Sequence, residues 1–342
     1  MGIPPLAVQH TAFFHATQEK KMKHTVYNPA FSYTISPRFL TDAKRRTGFY
    51  DFAAATSHKM EKARAHAAAL ISKKGSEKMP LQVISPYAPL LCKPCDQAEQ
   101  DDEAWFGQTA EILEELEDGW LRVRMEYGYE SYVESRHVGP APAAEAYKVV
   151  HVSWGDVLAA PRYQAPARLT LPKGSRVAML QENNGWACLA LPGGEAGYIR
   201  ACHLSNLPEK PKEFDAAVLR GKIADEALSY LHCQYRWGGR TPAGVDCSGL
   251  CHAAYLLCGV AIYRNARMES GYPVREISRA RLQIGDLLYF PGHIAIYLGG
   301  GRYIHAAGSS GGVCINSLRP GDRDYRDDLA ETFLCAGSIF PL

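Results

Sequence analysis

A cysteine placed where a glycine-rich loop turns into an apolar run is the strongest chemical signal in this 342-residue chain. The stretch Gly244-Val245-Asp246-Cys247-Ser248-Gly249-Leu250 follows the loop Tyr235-Arg236-Trp237-Gly238-Gly239-Arg240. It opens a run, Ser248 to Cys258, that reads as an apolar helix stopping at Gly259. Free backbone N–H groups and the helix dipole at such a start favour a thiolate. The same amides could donate to a developing oxyanion. Cys251 and Cys258 lie deeper in the run, where no amide is free.

A thiol so placed needs a base, and two histidines offer one. His293 stands in Pro291-Gly292-His293-Ile294-Ala295-Ile296-Tyr297 and His305 in Tyr303-Ile304-His305-Ala306-Ala307. Both segments read as strands, joined by the turn Gly299-Gly300-Gly301. With Gly299 as the centre, each histidine is six positions away, so the two are expected directly opposite each other. Opposed side chains have Cβ atoms about 4.5–5.5 Å apart and share a face, so one ring could orient the other. Nucleophile, base and orienter are what covalent acyl transfer requires.

The elements that must hold these residues fall into four stretches. Residues 1–78 read as a partly helical region, with a helix rich in Ala and Lys over His58 to Lys74. Residues 79–210 carry short β-like runs and an internal repeat. Gly119-Trp120-Leu121-Arg122-Val123 recurs as Gly185-Trp186-Ala187-Cys188-Leu189, and the Tyr132 to Val138 segment recurs as Tyr198 to Leu204, an offset of 66 residues. Each unit reads as a small five-stranded barrel, and the pair resembles two bacterial SH3 domains in tandem, over 79–140 and 141–210. His137 and His203 occupy equivalent places in both copies, which favours a structural role. Residues 211–342 form the last unit. Its first helix is expected over Asp215 to Cys233, with Ala217, Val218, Ile223, Ala227, Leu228 and Leu231 along its apolar face. Strands follow over Asp286–Phe290, His293–Leu298 and Arg302–Ala306. Asp286 reads as a turn residue.

Composition excludes several classes. A net charge of +2 argues against a nucleic-acid partner, and the short basic run Lys20 to Lys23 reads as solvated surface. No apolar stretch approaches the eighteen or so residues of a membrane span, and Met1 to Phe14 lacks a secretory pattern. Ten cysteines in so long a chain do not form a disulfide framework and suggest a reducing compartment. The location expected is therefore cytoplasmic, with a periplasmic or secreted protein as the alternative for a trimmed precursor. Cys92-Lys93-Pro94-Cys95 lacks the further ligands a zinc site needs and reads as incidental thiols.

The motifs Tyr235-x-Trp237-Gly238-Gly239, Asp246-Cys247-Ser248-Gly249-Leu250, Gly285-Asp286-Leu287-Leu288, Gly292-His293-Ile294-Ala295 and His305-Ala306 together resemble the NlpC/P60 family of cysteine peptidases. The resemblance covers about 120 residues. It implies an α+β, papain-like catalytic domain in which a helix bearing the cysteine packs on an antiparallel sheet. Cys247 would be the nucleophile, His293 the base and His305 the orienting residue, with Tyr235 assisting through its hydroxyl. The substrate implied is the peptidoglycan stem peptide L-Ala-γ-D-Glu-diamino acid, cut after γ-D-glutamate, with no metal or organic cofactor. Similar multidomain members prefer a free N-terminal L-Ala. Asp246, Trp237, Ser248, Tyr129 and an acidic residue of the first SH3-like unit, Glu99 with Glu103 next, would then line the substrate site. Where the family often carries Arg-Asp-Ser/Ala, this chain has Arg264-Asn265-Ala266. Two other functions compete: a wall-binding adaptor with a silent peptidase unit, and a Cys–His amidase or acyltransferase acting on another amide. Oligomeric state, the diamino acid and the choice between recycling, remodelling and lysis stay open.

Overall fold

The computed structural model describes residues 81–209, apart from 143 and 145, and 215–341. The expected N-terminal region and its helix over His58 to Lys74 lie outside the described residues.

The first module holds β1 (Leu81–Val83), β2 (Tyr87–Leu91), β3 (Gln100–Trp105), β4 (Thr109–Glu115), β5 (Trp120–Met125), β6 (Glu130–Glu134) and β7 (Val138–Pro140), in the order β3-β2-β6-β5-β4-β1-β7. The second holds β8 (Ala146–Val150), β9 (Trp154–Leu158), β10 (Ala167–Pro172), β11 (Arg176–Asn183), β12 (Trp186–Ala190), β13 (Ala196–Arg200) and β14 (Leu204–Asn206). Its order, β10-β9-β13-β12-β11-β8-β14, repeats the first. Seven strands per module replace the expected five. The extra ones include β1, β7 and β14, each only three residues long and too short to carry an alternating pattern. His137 and His203 close their sheets through backbone carbonyls, which accept from the N–H groups of Ile84 and His151.

Alternation along β5 buries Leu121, Val123 and Met125 in the first core, and along β12 it buries Ala187 and Leu189 in the second. Phe106, just past β3, inserts into the second module's core. Trp105 is the three-way joint. Its ring lies against Gly174 of the second module, where an added Cβ would come within 2.3 Å of it. Its Nε1 donates to the Arg240 carbonyl of the third module at 3.2 Å.

The third module contains α1 (Ala216–Leu228), the two-stranded pair β15 (Arg240–Thr241) and β16 (Gly244–Val245), and α2 (Cys247–Leu257). Then come β17 (Arg275–Ile277), β18 (Leu287–Phe290), β19 (His293–Gly299), β20 (Arg302–Ala307), β21 (Gly312–Ser317), α3 (Asp327–Glu331) and β22 (Cys335–Ser338). The antiparallel sheet runs β17-β22-β18-β19-β20-β21. Both longer helices pack on β19, and Leu250, Cys251, Ala254 and Ile223 join Ile294, Ile296 and Ile304 in one core.

Helix α1 is shorter than expected and its apolar face is turned. Asp215 caps it, its Oδ1 accepting from the N–H groups of Ala217 and Val218. The helix ends before Ser229, whose hydroxyl donates to the Glu226 carbonyl. Val218 and Leu228 are exposed, while Leu219 and Arg220 are buried. The cause is a charge. Arg220 donates to the buried carboxylate of Asp286 at 2.7 Å and stacks on Phe340. Asp286 also accepts from the Gln283 N–H, so it anchors the turn into β18.

Candidate active site

Cys247 is the first residue of α2, with Asp246 as N-cap. The cap is heavily committed. Asp246 Oδ1 accepts from Gly249 N–H at 2.6 Å, from the Ser248 hydroxyl and from Arg264 Nη1; Oδ2 accepts from Gly238 N–H at 2.8 Å and from Arg264 Nη2 at 3.0 Å. Five donors fill the lone pairs of one carboxylate. Gly249 must be glycine, because a Cβ there would lie 2.1 Å from the Gly239 carbonyl oxygen. The loop before Cys247 is thereby clamped onto the helix start.

The cysteine sulfur sits where the backbone N–H groups of Ile294 and Ser248 stabilise its anion, which puts it beside the strand position after His293. Burial, and then the Asp246 charge, push the thiol pKa up to about 11 despite those amides. His293 is driven the other way, to about 4, by burial and then by His305 and Arg326. At neutral pH Cys247 is therefore a thiol and His293 a neutral imidazole.

His293 Nε2 and His305 Nδ1 are 2.8 Å apart. Their placement differs from the expectation of direct opposition. Ile296 pairs with Ile304 and Tyr297 with Tyr303, followed by a bulge before the Gly299–Arg302 pair. Extending that register sets His305 opposite Ala295 and His293 opposite Ala307. The turn is Gly300-Gly301, both at positive φ, not a turn centred on Gly299. The two histidines are diagonal neighbours on one face, which two imidazoles can bridge. His305 Nε2 in turn meets Asn316 Oδ1 at 2.8 Å.

Tyr235 lies within the field of Cys247, and burial followed by that thiolate raises its hydroxyl pKa to about 12, so it stays a donor. Trp237 is 60% exposed. Ser248 is buried, its hydroxyl donating to Asp246 and accepting from Arg264 at 2.8 Å. Tyr129 is half-buried against Tyr263, with its hydroxyl 3.5 Å from Asn265 Oδ1. Burial lifts its pKa to about 12, with Asp101 and Asp102 adding to the rise.

The acidic run Glu99 to Glu103 divides by strand position. Glu99 is exposed in the loop before β3, its carbonyl accepting from Cys92 N–H. Glu103 is buried and pairs with Arg236. Asp102 is fully buried, accepting from Arg264 Nε and from the Tyr127 hydroxyl, with Arg240 Nε at 3.4 Å. Burial opposes its charge, but Arg240 and Arg264 outweigh that and hold the carboxyl below its ordinary range. Asp101 is partly open, and among the described residues no cation pairs with it. Burial, then Glu99 and Asp102, raise its pKa. Of this run, Asp101 and Asp102 are the charges that act on Tyr129.

Sequence reasoning missed two buried arginines. Arg264 is 1% exposed and spans from Asp102 of the first module to Asp246 of the third. Arg240 donates to the Glu103 carbonyl, to Gln108 Oε1 at 2.8 Å and to the Tyr127 hydroxyl, lies 2.9 Å from His252 Nδ1, and stacks on Trp105 and Tyr127. A lone arginine in sequence gives no sign of burial; the acidic run that supplies its partners was the available clue.

The NlpC/P60 family profile matches residues 232–326, and a bacterial dipeptidyl-peptidase Sh3 domain profile matches residues 90–138. Dipeptidyl-peptidase 6 of Lysinibacillus sphaericus is 41% identical over 269 residues, covering 75% of this chain and 98% of that protein. The chain belongs to the NlpC/P60 family of cysteine peptidases. A murein DD-endopeptidase/LD-carboxypeptidase of Escherichia coli K12 is 32% identical over 126 residues, 33% of this chain and 65% of its own. An NlpC/P60 family protein from Bacillus cereus superposes with a TM-score of 0.65 over 77% of this chain and all of its own, at 18% identity. That likeness bears on the fold alone. In this NlpC/P60 peptidase the first module is part of the site's frame. The N-cap loop meets it at Gly238, where a Cβ would come within 2.5 Å of the Gln100 carbonyl oxygen. Among the described residues no cluster of His, Cys, Asp and Glu could hold a metal, and no helix is long and apolar enough to cross a membrane.

Proposed function

We propose that this NlpC/P60 peptidase hydrolyses the bond between γ-D-glutamate and the diamino acid of peptidoglycan stem peptides, and that it prefers peptides with a free N-terminal L-Ala. The observation that carries the reading is the half-buried carboxylate of Asp101 beside Tyr129, on the module packed against the nucleophile's loop. An unpaired carboxylate in a partly dried pocket suits a primary ammonium. The name dipeptidyl-peptidase, borne by the relative of nearly full coverage, agrees with a short acyl-side product. Asp246 adds negative potential there, but its oxygens are already engaged, so Asp101 is the residue assigned to the amine. Trp237 walls the pocket, and both β modules are taken as SH3-like barrels.

In this mechanism Cys247 attacks the γ-glutamyl carbonyl as His293 takes the thiol proton. The diamino acid amine leaves with that proton. Water, deprotonated by His293, then releases the dipeptide from the thioester. Amides at the start of α2 and the Tyr235 hydroxyl stabilise the oxyanion. All ten cysteines are unpaired, which suits a reducing compartment, and we place the activity in the cytoplasm on peptides already freed from the wall.

The test is turnover of L-Ala-γ-D-Glu-diamino acid and its N-acylated form, with products identified by mass spectrometry. Cys247→Ala is expected to fold and to release no dipeptide. Asp101→Asn is expected to raise KM at least ten-fold for the free-amine peptide alone, while Glu99→Gln leaves it unchanged. Equal turnover of free and acylated peptides by the wild type would defeat the amine preference. Cleavage of a different amide would defeat the bond assignment.

A further inference from the structure

The histidine pair ends in a residue that no motif picked out. Asn316 lies on β21, the strand beyond His305. Its Nδ2 donates to the Asp324 carbonyl at 2.9 Å, and a carbonyl can only accept, so the amide has one orientation. Its Oδ1 therefore faces His305 Nε2, 2.8 Å away. That oxygen can only accept, so His305 Nε2 carries hydrogen and, in the neutral ring, Nδ1 is bare. His293 Nε2 lies 2.8 Å from this bare nitrogen and so must carry hydrogen. Only Nδ1 of His293 is left without a proton.

We propose that Asn316 is a positioning residue that sets the tautomer of His305 and, through it, that of His293, so that Nδ1 of His293 is the nitrogen that receives the thiol proton. The inference rests on the reading of Cys247 and His293 as nucleophile and base. One proton then moves, from Cys247 Sγ to His293 Nδ1. The Nε2–H of His293 stays on His305, and no second transfer is needed.

The surroundings leave this assignment to Asn316. Arg326, before α3, and Asp328, within α3, act on His305 with opposite sign. Cys314 on β21 lies 3.4 Å from both His305 Nε2 and Asn316 Oδ1, and as a thiol it is a weak partner for either. The Tyr303 ring packs on His305 with centroids 5.1 Å apart. Burial favours the neutral rings that the scheme requires.

Asn316→Leu removes the acceptor at similar volume. His305 can then adopt the Nδ1–H form, which drives the His293 proton onto Nδ1. The expected result is a loss in kcat of at least ten-fold, with KM within two-fold of wild type. Asn316→Asp keeps an acceptor, so it is expected to recover most of that rate. Its charge also moves the acid limb of kcat/KM to higher pH. A Leu variant within two-fold of wild type would overturn the proposal. So would an Asp variant matching the Leu variant in both rate and pH limb. Nitrogen-15 spectra of histidine in the full-length wild type provide a readout independent of substrate and of variant folding: His305 is expected to be protonated at Nε2 and bare at Nδ1, and the reverse overturns the assignment. Failure of the wild type to cleave the stem peptide would defeat the functional reading while leaving the ring nitrogens to decide this one.

Discussion

Replacing Arg264 with methionine, which keeps the stem and removes the charge, is the sharpest perturbation of the link between the first module and the helix start at Cys247. Its guanidinium is the shared counter-ion of Asp102 and Asp246, both buried. At about 3 Å and an effective dielectric of about 20, each pair attracts with on the order of 5 kcal/mol before desolvation is counted. Loss of the cation strands two carboxylates. Asp102 keeps Tyr127 and the more distant Arg240, and Asp246 keeps the amides of Gly238 and Gly249. Breaking a buried pair from one side costs about 3–5 kcal/mol, and that is the loss expected for R264M. The assay is equilibrium unfolding in urea, followed by the fluorescence of the five tryptophans, Trp105 at the joint among them, for R264M, D102N and the double variant. Close charge pairs couple by at least about 1.5 kcal/mol, so the cycle should depart from additivity by that much. D102N should also lower kcat about ten-fold or more, although Asp102 is on another module, because Arg264 would then sit differently on the N-cap and the helix start would shift. Additivity within about 0.5 kcal/mol together with an unchanged kcat in D102N would refute the coupling.

Three further outcomes follow from the same site. The acid limb of kcat/KM should fall near pH 4, where His293 titrates, and not near 6.5; a limb at the ordinary histidine value, in a pH–rate profile, would contradict the burial argument. His293, His305 and His252 all have folded pKa values below the unfolded 6.5, so the stability tied to their neutral rings is complete above pH 6.5 and is lost as pH falls through their folded values. For His293 the drop from 6.5 to about 4 corresponds to about 3 kcal/mol; Glu103 and Asp101, pushed up by burial, oppose this only near the carboxylate range, and urea unfolding at pH 7 and pH 5 measures the net effect. Gly249→Ala should cost about 1–3 kcal/mol or more and lower kcat, because its methyl meets the Gly239 carbonyl at 2.1 Å; an unchanged Tm and rate would show that the loop yields freely.

What the sequence disclosed depended on whether local pattern or long-range pairing decides each element. Cys247 at a helix start is local, since loop glycines, the Asp246 cap and an apolar run all lie within a dozen residues. The repeat survived because it compares like with like. The hairpin register did not, because three consecutive glycines allow several turns and only the bulge chooses among them. Helix α1 was misaligned because Arg220 counts as polar in any periodicity, whereas here Asp286 draws it inward. The burial of the acidic run was illegible for a related reason. β3 is covered by its own module on one side and by the third on the other, so Asp102 through Trp105 are all buried and alternation disappears.

The use of ions at this joint bears on how the substrate pocket is built. An apolar joint tolerates sliding, since greasy contacts have little directional preference. A planar guanidinium does not. Arg264 grips both oxygens of Asp246 with its two Nη atoms and Asp102 with Nε, so the two carboxylates must lie in its plane at fixed angles. Asp102 is covalently next to Asp101, the carboxylate we propose for the substrate amine. Docking the module through Asp102 therefore also sets how far that amine stands from Cys247. Swapping Asp102 and Arg264 for a matched apolar pair could leave the fold as stable as before. It should nonetheless cost selectivity for the free amine, because Asp101 would no longer be held at one distance. A stable, apolar-jointed double variant that still discriminates fully between free and acylated peptides would show that the ions serve stability alone.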